Sequence, residues 1–361
     1  MNHILLAYGT RPQIIKASIL RVALGERMAV TTMDTGQHYD FELNQLLYDQ
    51  LGVSPPDFYL EVGSASHADQ TAAILSKCAS HLAELRPDAV VTIGDTNSTL
   101  GCALAAAKLR IPVVHVEAGL RARDSLMAEE VNRRVVDAIA GLLCAPSAAA
   151  EARLLQERPD AVVVRTGDVA RDILMHHESH LVPARLPDGL PAGAPYLFVT
   201  VHRAELTSDR ELLSGVLDAL ASMPIPAILA LHPRTRAAMA DQGLCADSSG
   251  SLHVISPVGY FESLALTQGA RMVITDSGGV QREAYWLGTR CITLRSETEW
   301  TETIELGANH LLAPKEAANG LAPAVLELLD AASGTWCRDA YGEGDAAARI
   351  AEAVANAVGV R

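Results

Sequence analysis

Short apolar runs alternate with longer stretches rich in alanine and leucine from one end of the chain to the other. The short runs, rich in valine and isoleucine, predict buried strands, and the longer stretches predict helices. The predicted strands of the first half cover residues 4–8, 29–33, 89–93, 112–116, 142–145 and 162–165. Strands that alternate with helices in this way are typical of βα units around a parallel sheet.

The pattern breaks over residues 168–195, where His176 and His177 precede a stretch rich in proline and glycine. Such a segment is typical of a connection between domains. A second series follows it. Its predicted strands cover residues 196–201, 227–231, 252–255, 272–275 and 291–294, and its predicted helices include 209–220, 234–239, 263–269 and 281–287.

The pattern therefore predicts an α/β protein with two doubly wound, Rossmann-like domains that face a central cleft. We expect an N-terminal domain over residues 1–168, a C-terminal domain over 169–344, and an amphipathic helix within 345–361 that could pack back on the N-terminal domain. A chain of 361 residues fits two domains, because single hydrophobic cores stop growing at about 250 to 300 residues.

The net charge limits the partners that the protein can bind, and the cysteine content indicates its cellular compartment. The formal net charge of −14 disfavours broad binding to nucleic acid or to anionic membranes, since both would be repelled. No apolar run approaches the roughly 20 residues of a membrane span. The six cysteines form no Cys-x-x-Cys pair, which favours reduced thiols in a cytoplasmic protein and argues against a metal or redox site.

Carboxylates follow or open several of the predicted elements. Asp95 follows the strand at 89–93, Glu117 lies among apolar residues after the strand at 112–116, and Glu129 and Glu130 open a helix. This spacing gathers acids at one edge of a parallel sheet and predicts a proton-transfer enzyme. Asp95 could equally be a turn residue and N-cap, and Glu129 or Glu130 could simply stabilise a helix dipole. A buried Glu117 needs a partner, for which Arg121 is a structural candidate.

Two strand-to-helix turns are candidate anion sites. Gly9-Thr10-Arg11-Pro12 precedes a helix that carries Lys16, and Asp276-Ser277-Gly278-Gly279 follows the strand at 272–275 and opens a helix that carries Glu283. Free amides at a helix N-terminus bind phosphate, although either turn could be purely structural. His202-Arg203 and His232-Pro233-Arg234 also follow strands, which favours a local positive site for phosphates in an otherwise acidic protein.

Taken together and in this order, the motifs resemble those of the non-hydrolysing UDP-N-acetylglucosamine 2-epimerases, whose fold looks like that of the GT-B glycosyltransferases. The resemblance covers nearly the whole chain. It is carried by Gly9-Thr10-Arg11-Pro12 with Lys16, Thr35-Gly36-Gln37-His38, Gly94-Asp95-Thr96-Asn97-Ser98-Thr99, His115-Val116-Glu117-Ala118-Gly119-Leu120-Arg121, Glu129-Glu130-Val131-Asn132-Arg133, Thr166-Gly167-Asp168, His202-Arg203-Ala204-Glu205, His232-Pro233, Asp276-Ser277-Gly278-Gly279-Val280-Gln281-Arg282-Glu283 and Arg295 with Glu299.

The resemblance implies inversion at C2 of a UDP-linked 2-acetamido sugar, through elimination of UDP to a glycal and re-addition. It assigns proton transfer to Asp95, Glu117 and Glu129, with His202 near the diphosphate. It implies substrate binding by Arg11, Lys16, His38, Arg121, His232, Ser277, Gly278, Gly279, Glu283, Arg295 and Glu299. Within that set, Arg11 and the Ser-Gly-Gly turn would hold the diphosphate and Glu283 the ribose. It implies a homodimer and neither a metal nor a nicotinamide cofactor.

The chain also departs from the family pattern. Gln13 stands where many members have Glu, and residues 62–67 and 297–302 look like the branch that acts on UDP-2,3-diacetamido-2,3-dideoxy-glucuronate. The loop at 122–128 lacks the usual proline before the acid pair, and Leu206 replaces a usual Asn. Tyr39 after His38 argues against activation by a second UDP-N-acetylglucosamine. A hydrolysing epimerase that releases UDP and free N-acetylmannosamine, or a catalytically silent UDP-sugar binding protein, are the alternatives.

Overall fold

A computed structural model describes residues 2–37, 48, 51–178, 181–191, 193–245, 247–329 and 334–359. The chain divides into two compact units, each with its own parallel sheet. Unit 1 comprises Met1–His176 together with Asp339–Arg361, and unit 2 comprises His177–Arg338. The final segment thus returns to the unit that begins the chain.

Unit 1 is built on a parallel sheet with strand order β3-β2-β1-β4-β5-β6-β7 among its described residues. Its strands are β1 His3–Tyr8, β2 Ala29–Asp34, β3 Phe58–Tyr59, β4 Ala89–Ile93, β5 Val113–Val116, β6 Leu142–Ala145 and β7 Val162–Arg165. Its helices are α1 Arg11–Gly25, α2 His67–Leu85, α3 Asn97–Lys108, α4 Ala128–Ile139, α5 Ala148–Glu157 and α6 Val169–Glu178. The strand order reverses between β1 and β4, where open α/β sheets bind ligands.

The core of unit 1 follows directly from the apolar runs. Every residue of β4 is buried, as expected for a central strand that is covered by helices on both faces. Helices α2 and α3 approach closely because Gly101 has no side chain: a Cβ there would lie 2.6 Å from Cγ2 of Ile74. Larger residues at this position would push the two helices apart.

Unit 2 repeats the topology, with strand order β10-β9-β8-β11-β12-β13 among its described residues. Its strands are β8 Leu197–Thr200, β9 Ala227–Ala230, β10 Leu252–Ile255, β11 Met272–Thr275, β12 Cys291–Thr293 and β13 Asn309–Leu311. Its helices are α7 Ala204–Thr207, α8 Arg210–Ala221, α9 Pro233–Asp241, α10 Tyr260–Gly269, α11 Gly278–Leu287, α12 Thr301–Glu305 and α13 Pro314–Leu329. Here the order reverses between β8 and β11.

The returning helix α14, Ala346–Gly359, packs on α1 and β6 of unit 1. Its first turn is capped from a distant part of the chain, because the carboxylate of Asp172 accepts the amide protons of Ala346 at 3.1 Å and Ala347 at 2.7 Å. Upstream, the amide of Asp168 donates to the carbonyl of Tyr341 at 2.8 Å. These bonds attach the C-terminal segment to α6 of unit 1.

The predicted α/β class with two parallel sheets is confirmed. Two strands were not predicted, β3 and β13, and the segment at 168–195, read as a connection, begins with the helix α6. In the described ranges, none of the helices has the length and apolar character that crossing a bilayer requires.

Candidate active site

Asp95 lies in the turn after β4 and is held by helix α4. Its Oδ2 accepts from Nε of Arg133 at 2.9 Å and from Nη2 at 2.5 Å, while its carbonyl accepts from Asn132 at 2.8 Å. The N-cap of α3 is Thr96, so the interpretation of Asp95 as that cap is wrong. The Asp95 side chain is 29% exposed and is therefore an anchored carboxylate that remains accessible.

Glu117 follows β5 in a backbone conformation that is unusual for a side-chain-bearing residue. Its φ is +68°, in the left-handed region that costs a non-glycine residue about 1 kcal/mol or more. Its Oε1 lies 2.5 Å from Nζ of Lys16, and both side chains are less than 10% exposed. Its Oε2 lies on the side of Gly94, where an added Cβ would come within 3.5 Å. A strained, nearly buried ion pair of this kind is typical of a functional site.

The spacing predicts Arg121 as a partner for Glu117, but the arginine binds elsewhere. Its Nη1 donates to Oδ2 of Asp137 at 2.7 Å and its Nη2 to Glu157 at 2.5 Å. Asp137 also accepts the amide proton of Gly119 at 3.1 Å, so the arginine takes part in a buried network beneath the turn that carries Glu117. Sequence reasoning missed Asp137, because nothing in its helical neighbourhood marks it.

The two acids at the start of α4 have different environments. Glu129 is exposed, whereas Glu130 is fully buried. The carboxylate of Glu130 accepts the amide proton of Ala122 at 2.8 Å and lies against Arg133 at 3.3 Å and Arg134 at 2.7 Å. Glu130 therefore ties the preceding loop to α4, and Glu129 is the acid of the pair that a substrate could reach.

The turn after β1 is locked to the turn after β4 by Gln13. Its Oε1 accepts the amide proton of Gly9 at 2.9 Å, and its Nε2 donates to the carbonyl of Ile93 at 2.6 Å. A carboxylate could not make the second bond, so the amide at this position has a structural use. Arg11, the first residue of α1, is exposed, while Lys16 lies one turn further on and is nearly buried.

In unit 2, Asp276 organises the turn after β8. Its Oδ2 accepts the amide protons of His202 and Arg203, each at 2.7 Å, and its Oδ1 lies 3.2 Å from Nδ1 of His202. Burial and the guanidinium groups of Arg203 and Arg234 lower the pKa of His202, although Asp276 opposes them. The lowered pKa favours the neutral form of the imidazole at the end of β8.

Ser277, Gly278 and Gly279 open helix α11 at the carboxyl end of β11. Ser277 is its N-cap and accepts from the amide of Val280 at 3.4 Å. A Cβ on Gly278 would lie 3.4 Å from Oε1 of Glu299, which is an ordinary contact distance. The turn therefore brings backbone amides and a helix dipole to the same sheet edge as His202, an arrangement that can accommodate an anion.

The remaining predicted binding residues of unit 2 are mostly engaged within the unit. Nη1 of Arg295 lies 3.0 Å from Oε2 of Glu299, and both side chains are less than 10% exposed. Nδ1 of His232 accepts from the amide of Arg234 at 3.2 Å, and the His232 ring lies 5.1 Å from the ring of His202. Glu283 is half-buried in the second turn of α11.

Neighbouring aromatic residues shape this edge as well. The guanidinium carbon of Arg282 lies 3.9 Å from the ring centroid of Trp300, a cation–π contact that sequence reasoning missed.

His38, predicted to bind substrate, lies outside the described residues. Across the described ranges, no three His, Cys, Asp or Glu side chains come together as a metal site.

Two sheet edges thus carry different chemistry: accessible and ion-paired carboxylates in unit 1, and histidines, arginines and helix amides in unit 2. The profile described as UDP-N-acetylglucosamine 2-epimerase matches residues 22–355. The chain belongs to this family.

Individual relatives cover the chain almost completely. It is similar to the UDP-2,3-diacetamido-2,3-dideoxy-D-glucuronate 2-epimerase of Pseudomonas aeruginosa, at 38% identity over 98% of this chain and 99% of the relative. Among solved structures, it is similar to the Methanocaldococcus jannaschii UDP-GlcNAc 2-epimerase in complex with UDP-GlcNAc and UDP, with a TM-score of 0.86 and 33% identity over 98% and 99% of the two chains. It is also similar to the UDP-GlcNAc-bound enzyme of Neisseria meningitidis, with a TM-score of 0.87 and 25% identity over 99% and 100%.

Proposed function

We propose that this protein epimerises a UDP-2-acetamido sugar at C2. The observation that carries the proposal is Glu117, a nearly buried carboxylate ion-paired to Lys16, at the same sheet edge as the accessible carboxylate of Asp95. Family membership supports it, as do the relatives that are named for this activity or crystallised with UDP-GlcNAc.

The chemistry needs a base, an acid and a held leaving group. A base removes the C2 proton while the C1–oxygen bond breaks, which gives UDP and a 2-acetamidoglycal. UDP then adds back to C1, and an acid delivers a proton to the opposite face of C2. Two proton-handling groups are required, one for each face. Asp95 and Glu117 are the pair that we assign, with Glu129 as a third, more exposed acid.

The two units divide these tasks by their chemistry. In unit 1 the guanidinium of Arg133 holds the carboxylate of Asp95, and the ammonium of Lys16 holds that of Glu117, so that both acids have fixed positions. In unit 2 the amides of the Ser277-Gly278-Gly279 turn and the side chain of His202 hold the departing diphosphate, and Glu283 binds the ribose.

The other predicted binding residues have supporting parts in this scheme. Arg11 is exposed at the start of α1 and can meet the diphosphate directly. Lys16 and Arg295 act through the carboxylates that they pair with, Glu117 and Glu299. Arg121 acts through Asp137, and His232 lies against His202.

The substituents of the sugar define a second candidate substrate. A relative that covers nearly the whole chain is named for UDP-2,3-diacetamido-2,3-dideoxy-D-glucuronate, which carries a second acetamido group and a carboxylate. This name favours testing that substrate beside UDP-N-acetylglucosamine. The resemblance to the family further favours a homodimer, and the thiol composition favours the cytoplasm.

Mass spectrometry of reactions in D2O tests the proposal. We expect one deuterium at C2 in both epimers of either UDP-2-acetamido sugar and none in UDP-glucose, which lacks the acetamido group. Epimers that interconvert without label contradict the elimination route. Accumulation of free UDP with free N-acetylmannosamine identifies a hydrolysing enzyme, and tight UDP-sugar binding without turnover identifies a binding protein.

A further inference from the structure

His115 lies in β5 between the two assigned acids, and the proposed chemistry gives it no task. Its side chain is fully buried. Its Nδ1 lies 2.6 Å from Oδ1 of Asp137, and its Nε2 lies 2.7 Å from the carbonyl oxygen of Gly94. It therefore connects helix α4 with the turn that carries Asp95.

Both ring nitrogens of His115 must donate. The carbonyl oxygen of Gly94 can only accept, so Nε2 carries a proton. Oδ2 of Asp137 accepts from Arg121 and from the amide of Gly119, as an ionised carboxylate does, so Nδ1 donates to Oδ1. Burial opposes the charge, but the charge and hydrogen bond of Asp137, the hydrogen bond to Gly94 and the charge of Asp95 together outweigh it and raise the pKa of His115. The side chain is an imidazolium with two directed bonds.

Each bond restrains a segment that carries an assigned acid. On one side, Nε2 holds the peptide of Gly94, whose φ is +68° and whose amide donates to Val116 at 2.9 Å. On the other side, Asp137 receives the amide of Gly119, two residues after Glu117. Asp137 keeps its bonds to Gly119 and Arg121 without the imidazole, so the position of Asp95 relative to Glu117 depends mainly on the Nε2 bond to Gly94.

We propose that His115 is a positioning residue for the C2 proton transfers, and that its Nε2 bond to the carbonyl of Gly94 sets the distance between the carboxylates of Asp95 and Glu117. The inference rests on the proposed function, because the separation matters when both acids serve one carbon. A displacement of about 1 Å costs roughly 100-fold in rate when reacting groups must be aligned.

The simpler reading is that His115 and Asp137 only satisfy each other in the core. Charged groups surround the pair from several elements: Asp95 from the turn after β4, Arg121 from the loop after β5, and Arg158 after α5, which donates to the carbonyl of Asp137. A purely structural ion pair needs the Nδ1 bond to Asp137. Positioning of Asp95 needs the Nε2 bond to Gly94 instead.

Two amide substitutions separate these bonds. The amide nitrogen of glutamine occupies the place of Nε2, and that of asparagine the place of Nδ1, so His115→Gln keeps the donor to Gly94 and His115→Asn keeps the donor to Asp137. Thr92→Val is the matched control. Thr92 is buried beside His115 in the β4–β5 pairing, and its hydroxyl donates to the carbonyl of Val114 at 3.2 Å.

We expect His115→Asn to lower kcat by about 100-fold and His115→Gln by less than about tenfold, with KM and the Kd for UDP within about twofold of the parent for both. Thr92→Val should leave kcat unchanged. Equal losses in the two variants, or a larger loss in His115→Gln, overturn the inference.

Hydrogen exchange tests the inference without turnover. Peptides that cover residues 93–98 should exchange faster in His115→Asn than in the parent, and at the parental rate in His115→Gln and Thr92→Val. Unchanged protection in His115→Asn overturns the inference by itself. If the parent protein epimerises no UDP-sugar but the exchange pattern holds, the proposed function fails and the positioning of the Asp95 turn stands.

Discussion

The carboxyl edges of the two sheets share a topology but treat carboxylates in opposite ways. In unit 1, Glu117 and Asp95 are held at the edge by cations, Lys16 and Arg133. In unit 2, the buried carboxylate of Asp276 accepts two backbone amides instead, which leaves the histidines and a helix N-terminus to define the edge. In the proposed function, the same fold would thus serve proton transfer at one edge and anion binding at the other, because the carboxylates at the two edges have different partners.

The largest effect should come from substitution of Glu117 in unit 1. Glu117→Gln keeps the shape of the side chain but removes the group that exchanges a proton, so kcat and deuterium uptake at C2 should fall about 10³-fold while the Kd for UDP stays within about twofold. Rapid-quench mass spectrometry and calorimetry measure the two quantities. Glu61→Gln is the matched control, since Glu61 is another glutamate with positive φ, at +49°. Near-normal label uptake in Glu117→Gln would remove it from the acid–base pair.

An intermediate effect should come from Asp276, the buried acid of unit 2 that accepts two backbone amide protons. Asp276→Ala frees the amides of His202 and Arg203, so we expect the Kd for UDP to rise tenfold or more, about 1.4 kcal/mol. Isothermal titration with UDP measures it. Asp209→Ala is the control, because Asp209 also accepts two amide protons, from Glu211 and Leu212, at the start of α8. An equal change of UDP affinity in both variants, or none in Asp276→Ala, contradicts the assignment of the edge.

The smallest effect is a difference in pH dependence between the units. Burial raises the pKa of Asp172 to about 6, so its charged form is disfavoured in the folded state and unit 1 should lose stability as pH rises from about 4 to 6. The pKa of His202 is lowered, so unit 2 should lose stability as pH falls below about 6.5. Stability plotted against pH should therefore have a negative slope for unit 1 and a positive slope for unit 2.

The pH dependence of each unit can be measured with a separate probe and tested with a separate variant. All three tryptophans lie in unit 2, at 286, 300 and 336, so their fluorescence reports its unfolding, while hydrogen exchange in α14 reports unit 1. Asp172→Asn should reduce the loss of unit 1 stability between pH 4 and 7 by about 1 kcal/mol. His202→Gln should flatten the slope of unit 2. Parallel slopes in the parent protein would show that the two groups do not set them.

Strands such as β4 and β11 could be predicted because each is a continuous apolar run between turn residues. β3 and β13 could not, since β3 has only two residues and β13, Asn309-His310-Leu311, has only one apolar residue. In the candidate site, spacing after strands predicted Asp95, Glu117 and His202. Arg133 and Asp137 escaped prediction, because their partners lie 38 and 22 residues away along the chain.

The sequence by itself determined the class of fold, the family and the residue types at each strand end, because these depend on local periodicity and on motif order. The tertiary structure alone decided which carboxylates are accessible to a substrate. Glu129 and Glu130 are neighbours of identical chemistry, yet one is exposed and the other is buried against two arginines. Likewise Lys16, not Arg121, partners Glu117. Such pairings follow from where chain segments meet in space, and local sequence does not encode that.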